Sequence, residues 1–358
     1  MPDPAQLDLS IIIVSWNVRE LLRGCLSSLH ACPELLLSRK ADAPTRSGDA
    51  LTAEILVVDN ASADGSGDMV AVSFPGVRLI RNTENRGFTG GNNQGLEQAR
   101  GDCILLLNPD TITPPGALRA MVQALHALPG TGVLGPELRY ADGSLQSSRR
   151  RFPSLAMAMA ESTPLSWHLP ERLNRWSRSY HMDDVPLPDA GSTQQVDWLV
   201  GAALLLRREA LAEVGGLDEG YFMYSEELDW CRRAADAGWK RIFLAGISIT
   251  HYEGKSSEQV VAARHIRFQT SKIRYFRKFH GPFAAEVLRA FLLTSFAIEW
   301  LIEGGKWLAG HRRSLRAERL SAYTELLRSR LSDQRTAMTP RLWVDGPPDA
   351  KAPVGETE

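Results

Sequence analysis

From Leu9 to Trp16 the chain is almost continuously apolar and β-branched, too short for a typical helix and closed by polar residues. That is the pattern of a strand buried on both faces. It returns at Ile55 to Asp59, Val77 to Ile80 and Cys103 to Leu107, and helix-like stretches at Arg19 to Leu29 and Asn92 to Ala99 separate the runs. The alternation predicts a parallel sheet wound with helices. Between the first helix and the second strand, Ser38 to Thr52 has no period and reads as a mobile surface insertion. A second break, Arg149 to Ser192, is rich in Pro, Trp, Ser and Arg and predicts a long connection between two lobes. Beyond it, Val196 to Leu206 reads as a buried strand, Tyr224 to Ala237 as a helix, and Arg241 to Leu244 and Ile247 to His251 as two short strands.

Composition excludes several classes. A chain of 358 residues, 44% hydrophobic and 23% charged, can bury a large core and is neither disordered nor fibrous. With 41 basic and 42 acidic residues, no polyelectrolyte tail selects a partner. Arg264, Arg267, Lys272, Arg274, Arg277 and Lys278 do cluster among Phe268, Tyr275, Phe276 and Phe279, but no nucleic-acid motif accompanies them, so no nucleic-acid partner is expected. Cys25, Cys32, Cys103 and Cys231 lack metal spacing and suit a reducing compartment. The Met-Pro-Asp-Pro start has neither a basic stretch nor a cleavage site, which predicts a cytoplasmic protein.

Four polar clusters follow the buried strands, where an open α/β sheet gathers its ligands: Ser15-Trp16-Asn17, the run from Asp59 to Ser66, Asn82 to Gly95, and Asn108-Pro109-Asp110. Each alone suits a turn or helix cap. Their succession resembles the signatures of family 2 glycosyltransferases, in particular the rhamnosyltransferase-like branch. Downstream, Phe222-Met223-Tyr224-Ser225-Glu226-Glu227-Leu228-Asp229 is similar to that branch's acidic acceptor-side motif. His251-Tyr252-Glu253-Gly254-Lys255-Ser256 resembles its histidine element, and Arg274 to Gly281 its basic aromatic close. The resemblance spans roughly Leu9 to Gly281 and is specific as an ordered set.

It implies a Rossmann-like α/β fold of the A-type glycosyltransferases, with a mixed, mainly parallel sheet and a C-terminal helical extension. The expected catalytic domain is 1–281, with its donor half at about 9–135 and its acceptor half at about 136–281, then a helical extension at 282–338 and a disordered tail at 339–358. The implied reaction moves a sugar, rhamnose in the favoured case, with inversion from a nucleotide diphosphate to a lipid-linked saccharide of the cell envelope. Asp59 is placed to accept the imide N–H of a pyrimidine base. Ser15, Asn17, Asn85, Gly87, Asn92, Asn93 and Asn108 are the other donor-binding candidates. Glycines in the run allow close approach to the ribose or diphosphate, and Asn92 is expected to open a helix whose N-terminus favours anions.

Asp110 is expected to hold a divalent cation, Mg2+ or Mn2+, that stabilises the departing diphosphate. His251 is a second ligand or a phosphate contact. The family motif usually carries an acid where this chain has Asn108. Direct displacement also needs a base for the acceptor hydroxyl, and Glu227 is the candidate, with Glu226 the alternate. The family has aspartate at the position of Glu227. Asp229 points away from Glu227 on a helix and is expected to orient it or to contact the acceptor.

Between Phe283 and Trp307 the chain predicts an amphipathic helix, interrupted by Glu286, Arg289, Glu299, Glu303 and Lys306 and so not a membrane span. Its apolar face, Phe283, Val287, Leu288, Phe291, Leu292, Phe296 and Trp300, is expected to meet its own domain, a second copy or a membrane surface, the last favoured by the basic aromatic run before it. A sugar-nucleotidyltransferase would need a glycine-rich phosphate loop where Ser15 to Glu20 stands. A non-catalytic nucleotide-sugar or carbohydrate-binding protein on the same fold is the alternative.

Overall fold

The computed structural model describes residues 7–38, 50–162, 177–252 and 261–332. Residues 39–49 of the expected insertion, Glu253 to Ser256 of the histidine element and the 339–358 tail lie outside the described residues. The first half alternates as the pattern predicts: β1 (Leu7–Ser15), α1 (Arg19–His30), β2 (Leu35–Leu37), β3 (Leu51–Asp59), α2 (Ser66–Ser73), β4 (Arg78–Arg81), α3 (Gly87–Gln98) and β5 (Gly101–Leu107). There follow β6 (Thr111–Ile112), α4 (Ala117–Ala127), β7 (Thr131–Arg139), β8 (Leu145–Gln146), β9 (Arg149–Arg150) and α5 (Leu155–Glu161). The second half adds β10 (Thr193–Gln195), β11 (Trp198–Leu199), β12 (Ala203–Arg207), α6 (Arg208–Val214), α7 (Glu226–Asp236), β13 (Lys240–His251), α8 (Val261–Leu308) and α9 (Arg313–Ser329).

The central sheet runs β10-β13-β7-β12-β5-β1-β3-β2, with β4 beside β3, β6 beside β13 and β8 beside β7. Pairings of β1 with β3 and β5, of β3 with β2 and β4, and of β7 with β13 are parallel, whereas β12 lies antiparallel between β5 and β7. A mixed, mainly parallel sheet results. Alternate residues of β1 feed its two faces: Leu9, Ile11 and Ile13 pack with Leu22 and Leu26 of α1 and Met121 of α4. Ile12 faces the other layer, which holds Leu96 of α3, Trp230 of α7 and Tyr275 and Leu288 of α8. All four cysteines are unpaired and buried, and burial pushes the thiols of Cys25, Cys103 and Cys231 up to about 12.

β7 is a central strand that the pattern reading does not mark, because Gly132, Gly135 and Pro136 disguise it. Proline has no N–H for the ladder, and β13 shifts register beside it: Leu244 opposes Pro136, while Ser248 opposes Glu137. The intervening Ala245 bonds instead to Gly191 and Ser192, and Gly246 takes a φ of 77°. The two strands expected at Arg241 to Leu244 and Ile247 to His251 are therefore one bulged strand. Its bend carries Thr250 and His251 onto Ile112 and Thr111 of β6.

α8 is broken at Gly281, φ 88° and ψ 166°, just before Pro282. Its first arm clamps the segment ahead of α7: Ser271 Oγ donates to the Met223 carbonyl at 2.9 Å, and Arg274 and Lys278 bind Asp218 at 3.0 and 2.8 Å. The second arm packs Ala285, Leu288 and Leu292 into the core and turns back along α9.

Candidate active site

At the carboxyl end of β5, Asn108 is fixed by its own backbone, whose N–H donates to the Ala202 carbonyl at 2.9 Å, and by Thr111 Oγ1, which donates to the Asn108 carbonyl at 2.7 Å. Asp110 and His251 are both buried, with His251 Nε2 3.4 Å from Asp110 Oδ1. His251 Nδ1 lies 3.0 Å from Gln146 Oε1, an oxygen that only accepts, so Nδ1 carries the hydrogen. Nε2 then has one lone pair, which takes a hydrogen from Asn108 Nδ2 at 3.3 Å beside the Asp110 carboxylate and would be released to a cation by turning that amide. A lone pair facing a carboxylate, beside the buried and unpartnered Asn108 Oδ1, is a set of electron-pair donors that suits a hard cation. Among the described residues no three acidic, histidine or cysteine side chains gather at one point, so such a cation would take its remaining ligands from phosphate oxygens and water.

Glu226 and Glu227 stand at the first turn of α7. The chain enters this helix through Tyr224 and Ser225, both left-handed at φ 72° and 66°, a backbone state that non-glycine residues adopt only when held there. Burial pushes the Glu226 carboxyl well above the usual carboxylate range, and neighbouring Glu227 pushes it further. Burial also raises Glu227, but the N–H groups of Glu227, Gly201 and Leu228 and the charge of Arg150 oppose the rise. Both carboxyls are thus shifted toward the neutral form, Glu226 with the charge of Glu227 added to burial and Glu227 with the N–H groups and Arg150 opposing it. Asp229, by contrast, is fully buried in an ionic cluster, 2.6 Å from Lys278 Nζ and 2.7 Å from Arg233 Nε, with Tyr221 Oη donating to it at 3.3 Å. These contacts tie α7 to the first arm of α8 through Lys278.

Asp59 ends β3 opposite Ser15 of β1, and its Oδ1 accepts the Ser62 N–H at 3.1 Å. Its Oδ2 rests against Gly67, where a Cβ would stand 2.5 Å away. Ser15 Oγ is buried without a hydrogen-bond partner among the described residues. Asn17, at φ 53°, accepts the Ala63 N–H at 2.7 Å and shapes the loop beside them. These three residues share one edge of the sheet.

The glycine-rich run corrects an expectation. α3 opens at Gly87, not at Asn92, and Asn85 Oδ1 accepts the Gly87 N–H at 2.9 Å in a tight turn. A Cβ at Gly87 would meet the Phe222 carbonyl oxygen at 2.5 Å, one at Gly91 would meet Val14 at 2.7 Å, and one at Gly95 would meet Ile12 at 2.4 Å. These glycines let α3 lie close against β1 and the Phe222 loop. Asn92 donates to the Phe88 carbonyl, and Asn93 binds both the N–H and the carbonyl of Leu217. Both asparagines are 1% exposed; Asn92 is tied to the preceding turn of α3, and Asn93 joins α3 to the segment ahead of α7.

The family profile described as "Glycosyl transferase family 2" matches residues 10–214, more than half of the chain. The chain belongs to glycosyl transferase family 2. This glycosyltransferase is similar to N-acetylglucosaminyl-diphospho-decaprenol L-rhamnosyltransferase of Mycobacterium tuberculosis, at 29% identity over 74% of this chain and 85% of that one. It is also similar to rhamnosyltransferase WbbL of Escherichia coli, at 28% identity over 42% of this chain and 52% of that one. Among solved structures, GalNAc-T7 with UDP, GalNAc and Mn2+ superposes with a TM-score of 0.52 at 14% identity, over 77% of this chain and 48% of that one. Mannosyltransferase PcManGT from Pyrobaculum calidifontis, with GDP-Man and Mn2+, superposes with a TM-score of 0.50 at 18% identity, over 94% and 90%. The fold is that of the A-type transferases.

Two segments of the transferase that sequence reasoning passed over tie its halves together. Gly201 donates to Glu227 and the next residue, Ala202, accepts from Asn108. Gln146 binds His251, and four residues on, Arg150 places its charge near Glu227 while stacking over Tyr180 and Trp198 at 6.0 Å each. No local signal marks these residues, since their roles exist only once β8, β9 and β12 are assembled around β7.

Proposed function

We propose that the transferase moves a sugar, with rhamnose the leading choice, from a nucleotide diphosphate to a lipid-linked saccharide in cell-envelope polysaccharide synthesis, by direct displacement with inversion. The mycobacterial relative's name supplies the sugar and the lipid-linked acceptor. One observation carries the mechanism: Gly201 lies against the Glu227 carboxyl, where a Cβ would stand 3.5 Å from it, and the next residue, Ala202, accepts the Asn108 N–H at 2.9 Å, so base and leaving-group corner share one segment. Asp110 and His251 would hold Mg2+ or Mn2+, supplying positive charge beside the departing diphosphate. Glu227 takes the acceptor hydroxyl proton as its oxygen bonds to the anomeric carbon, and the bond from that carbon to the diphosphate oxygen breaks. Asp59, Ser15 and Asn17 are the base and ribose edge of this reading.

Thermal-shift screening of nucleotide sugars with each metal would select the donor, since a ligand of the native state stabilises with the logarithm of its concentration over Kd. Transfer to N-acetylglucosaminyl-diphospho-lipid, with the anomeric configuration of the product read by NMR, then tests the reaction. Inversion is expected. Donor binding without any turnover would instead favour a non-catalytic binding protein on this fold.

A further inference from the structure

Among the described residues no helix is long and apolar enough to cross a membrane. The second arm of α8 nevertheless carries two apolar faces where a globular helix needs one. Its inner face is the one the fold uses: Ala285, Leu288 and Leu292 are fully buried, and Trp300 Nε1 and Glu303 bind Thr324 and Arg316 of α9. Among the described residues the outer face has no such partner. Phe283, Ala290, Ile298, Leu301, Ile302 and Leu308 are all exposed, and at 100° per residue they fall within an arc of about 120° opposite the buried set. No charged residue from Phe283 to Leu308 enters that arc. Phe283, Leu301 and Leu308 are 82%, 65% and 72% exposed, so the stripe runs about 37 Å along the arm. An apolar surface of this length, with Thr294 the one exposed hydroxyl in its arc, marks a contact with something apolar.

Charge identifies the occupant. Where the stripe ends, Arg312 and Arg313 stand with Lys306, which pairs with Glu303 at 3.2 Å, and with Arg316, which is buried against the same glutamate. Lys306, Arg312 and Arg313 are exposed. The acid at the other end, Glu286, is paired with Arg277 at 2.9 Å and Arg289 at 3.2 Å. Basic residues at the end of an apolar helix face are the side-chain set of a membrane–water interface. We infer that the outer face of the second arm of α8 lies in the surface of an anionic bilayer, with the basic turn between α8 and α9 against the lipid headgroups. This face differs from the one the hydrophobic pattern predicts, because Leu288 and Leu292 of that pattern are consumed by the core. The inference deepens the lipid-linked acceptor reading and rests on it: the first arm of the same helix binds Asp229 of α7 through Lys278, so the arm sets the acidic helix at a fixed height above the lipid.

The test uses the full chain with phosphatidylcholine vesicles, with and without phosphatidylglycerol, in a flotation assay. The unsubstituted protein floats with the anionic vesicles. The triple variant Ile298→Glu, Leu301→Glu, Ile302→Glu binds them on the order of a hundredfold more weakly, because three apolar side chains no longer enter the interface. These positions are exposed, so the melting temperature and sugar transfer to a short-chain, water-soluble acceptor stay unchanged. The variant Lys306→Glu, Arg312→Glu, Arg313→Glu loses the preference for anionic over neutral vesicles. Failure of the unsubstituted chain to float, equal flotation of the triple variant, or a dimer that the triple variant splits without any vesicle binding each overturns the inference. Transfer to the soluble acceptor without flotation leaves the catalytic reading standing, whereas flotation without transfer removes that reading and keeps the surface.

Discussion

Two adjacent glutamates at the start of α7 are driven apart by what donates to them. Glu227 receives three backbone N–H groups and the field of Arg150, whereas Glu226 receives its own N–H alone and faces the charges of Glu227 and Asp229; one oxygen of each, Oε2, has no partner among the described residues. A base works only when deprotonated, so the raised Glu227 predicts an acid limb of kcat at a pH above the ordinary carboxylate range. The sign for stability follows from linkage. A folded-state pKa above the unfolded one means that the stabilisation is complete in acid and is lost as pH rises through the folded value. Glu226→Gln is therefore expected to raise the melting temperature at neutral pH, with a gain that vanishes toward acid. A loss of stability at neutral pH would show that Glu226 is charged in the folded protein. At the cation corner, Asp110→Ala is expected to remove metal-dependent donor binding in calorimetry while leaving the unliganded melting temperature within a few degrees, because among the described residues its carboxylate accepts no hydrogen bond and only lies 3.4 Å from His251 Nε2. Unchanged binding of donor and metal would remove Asp110 from the site.

At the scale of elements, α3 shows what a glycine-rich run can mean. Gly87, at φ 80° and with a Cβ position 2.5 Å from the Phe222 carbonyl oxygen, admits no other residue without moving the loop that leads into α7. Gly87→Ala is expected to cost about 2–4 kcal/mol in urea denaturation. A cost below about 1 kcal/mol would mean that the loop yields freely. The sequence pattern made β1, β3, β4 and β5 legible because each is a short apolar run with polar ends, and Asp59, Asn108 and Asp110 were legible as the residues at those ends. The jobs of Asn92 and Asn93 were not, since an asparagine that binds Leu217 across the domain looks the same in sequence as one that binds a phosphate. β13 was read as two strands because Gly246 breaks the run, and the cause of its bulge, Pro136, lies on the neighbouring strand.

Taken as a whole, the molecule is not divisible at Gly281, where the sequence predicts the catalytic domain to end. Ala285, Leu288 and Leu292 beyond the break are fully buried in the same core as Trp230 of the acidic helix. Ending the chain after Gly281 is therefore expected to uncover this core, with a lower melting temperature and binding of a hydrophobic dye. A truncated chain with the stability of the full one would show the extension to be independent. The central claim, that Glu227 is the base of a direct displacement assembled beside the Asp110–His251 corner, is tested most directly by the kinetics of Glu227→Gln against Glu226→Gln. The amide keeps the side chain's shape and loses only its basicity. General-base catalysis typically contributes about 10²- to 10⁴-fold, so Glu227→Gln is expected to lower kcat at least about a hundredfold with donor Kd unchanged, while Glu226→Gln retains most of its activity. Activity that survives in Glu227→Gln, or that fails in Glu226→Gln instead, would contradict the account.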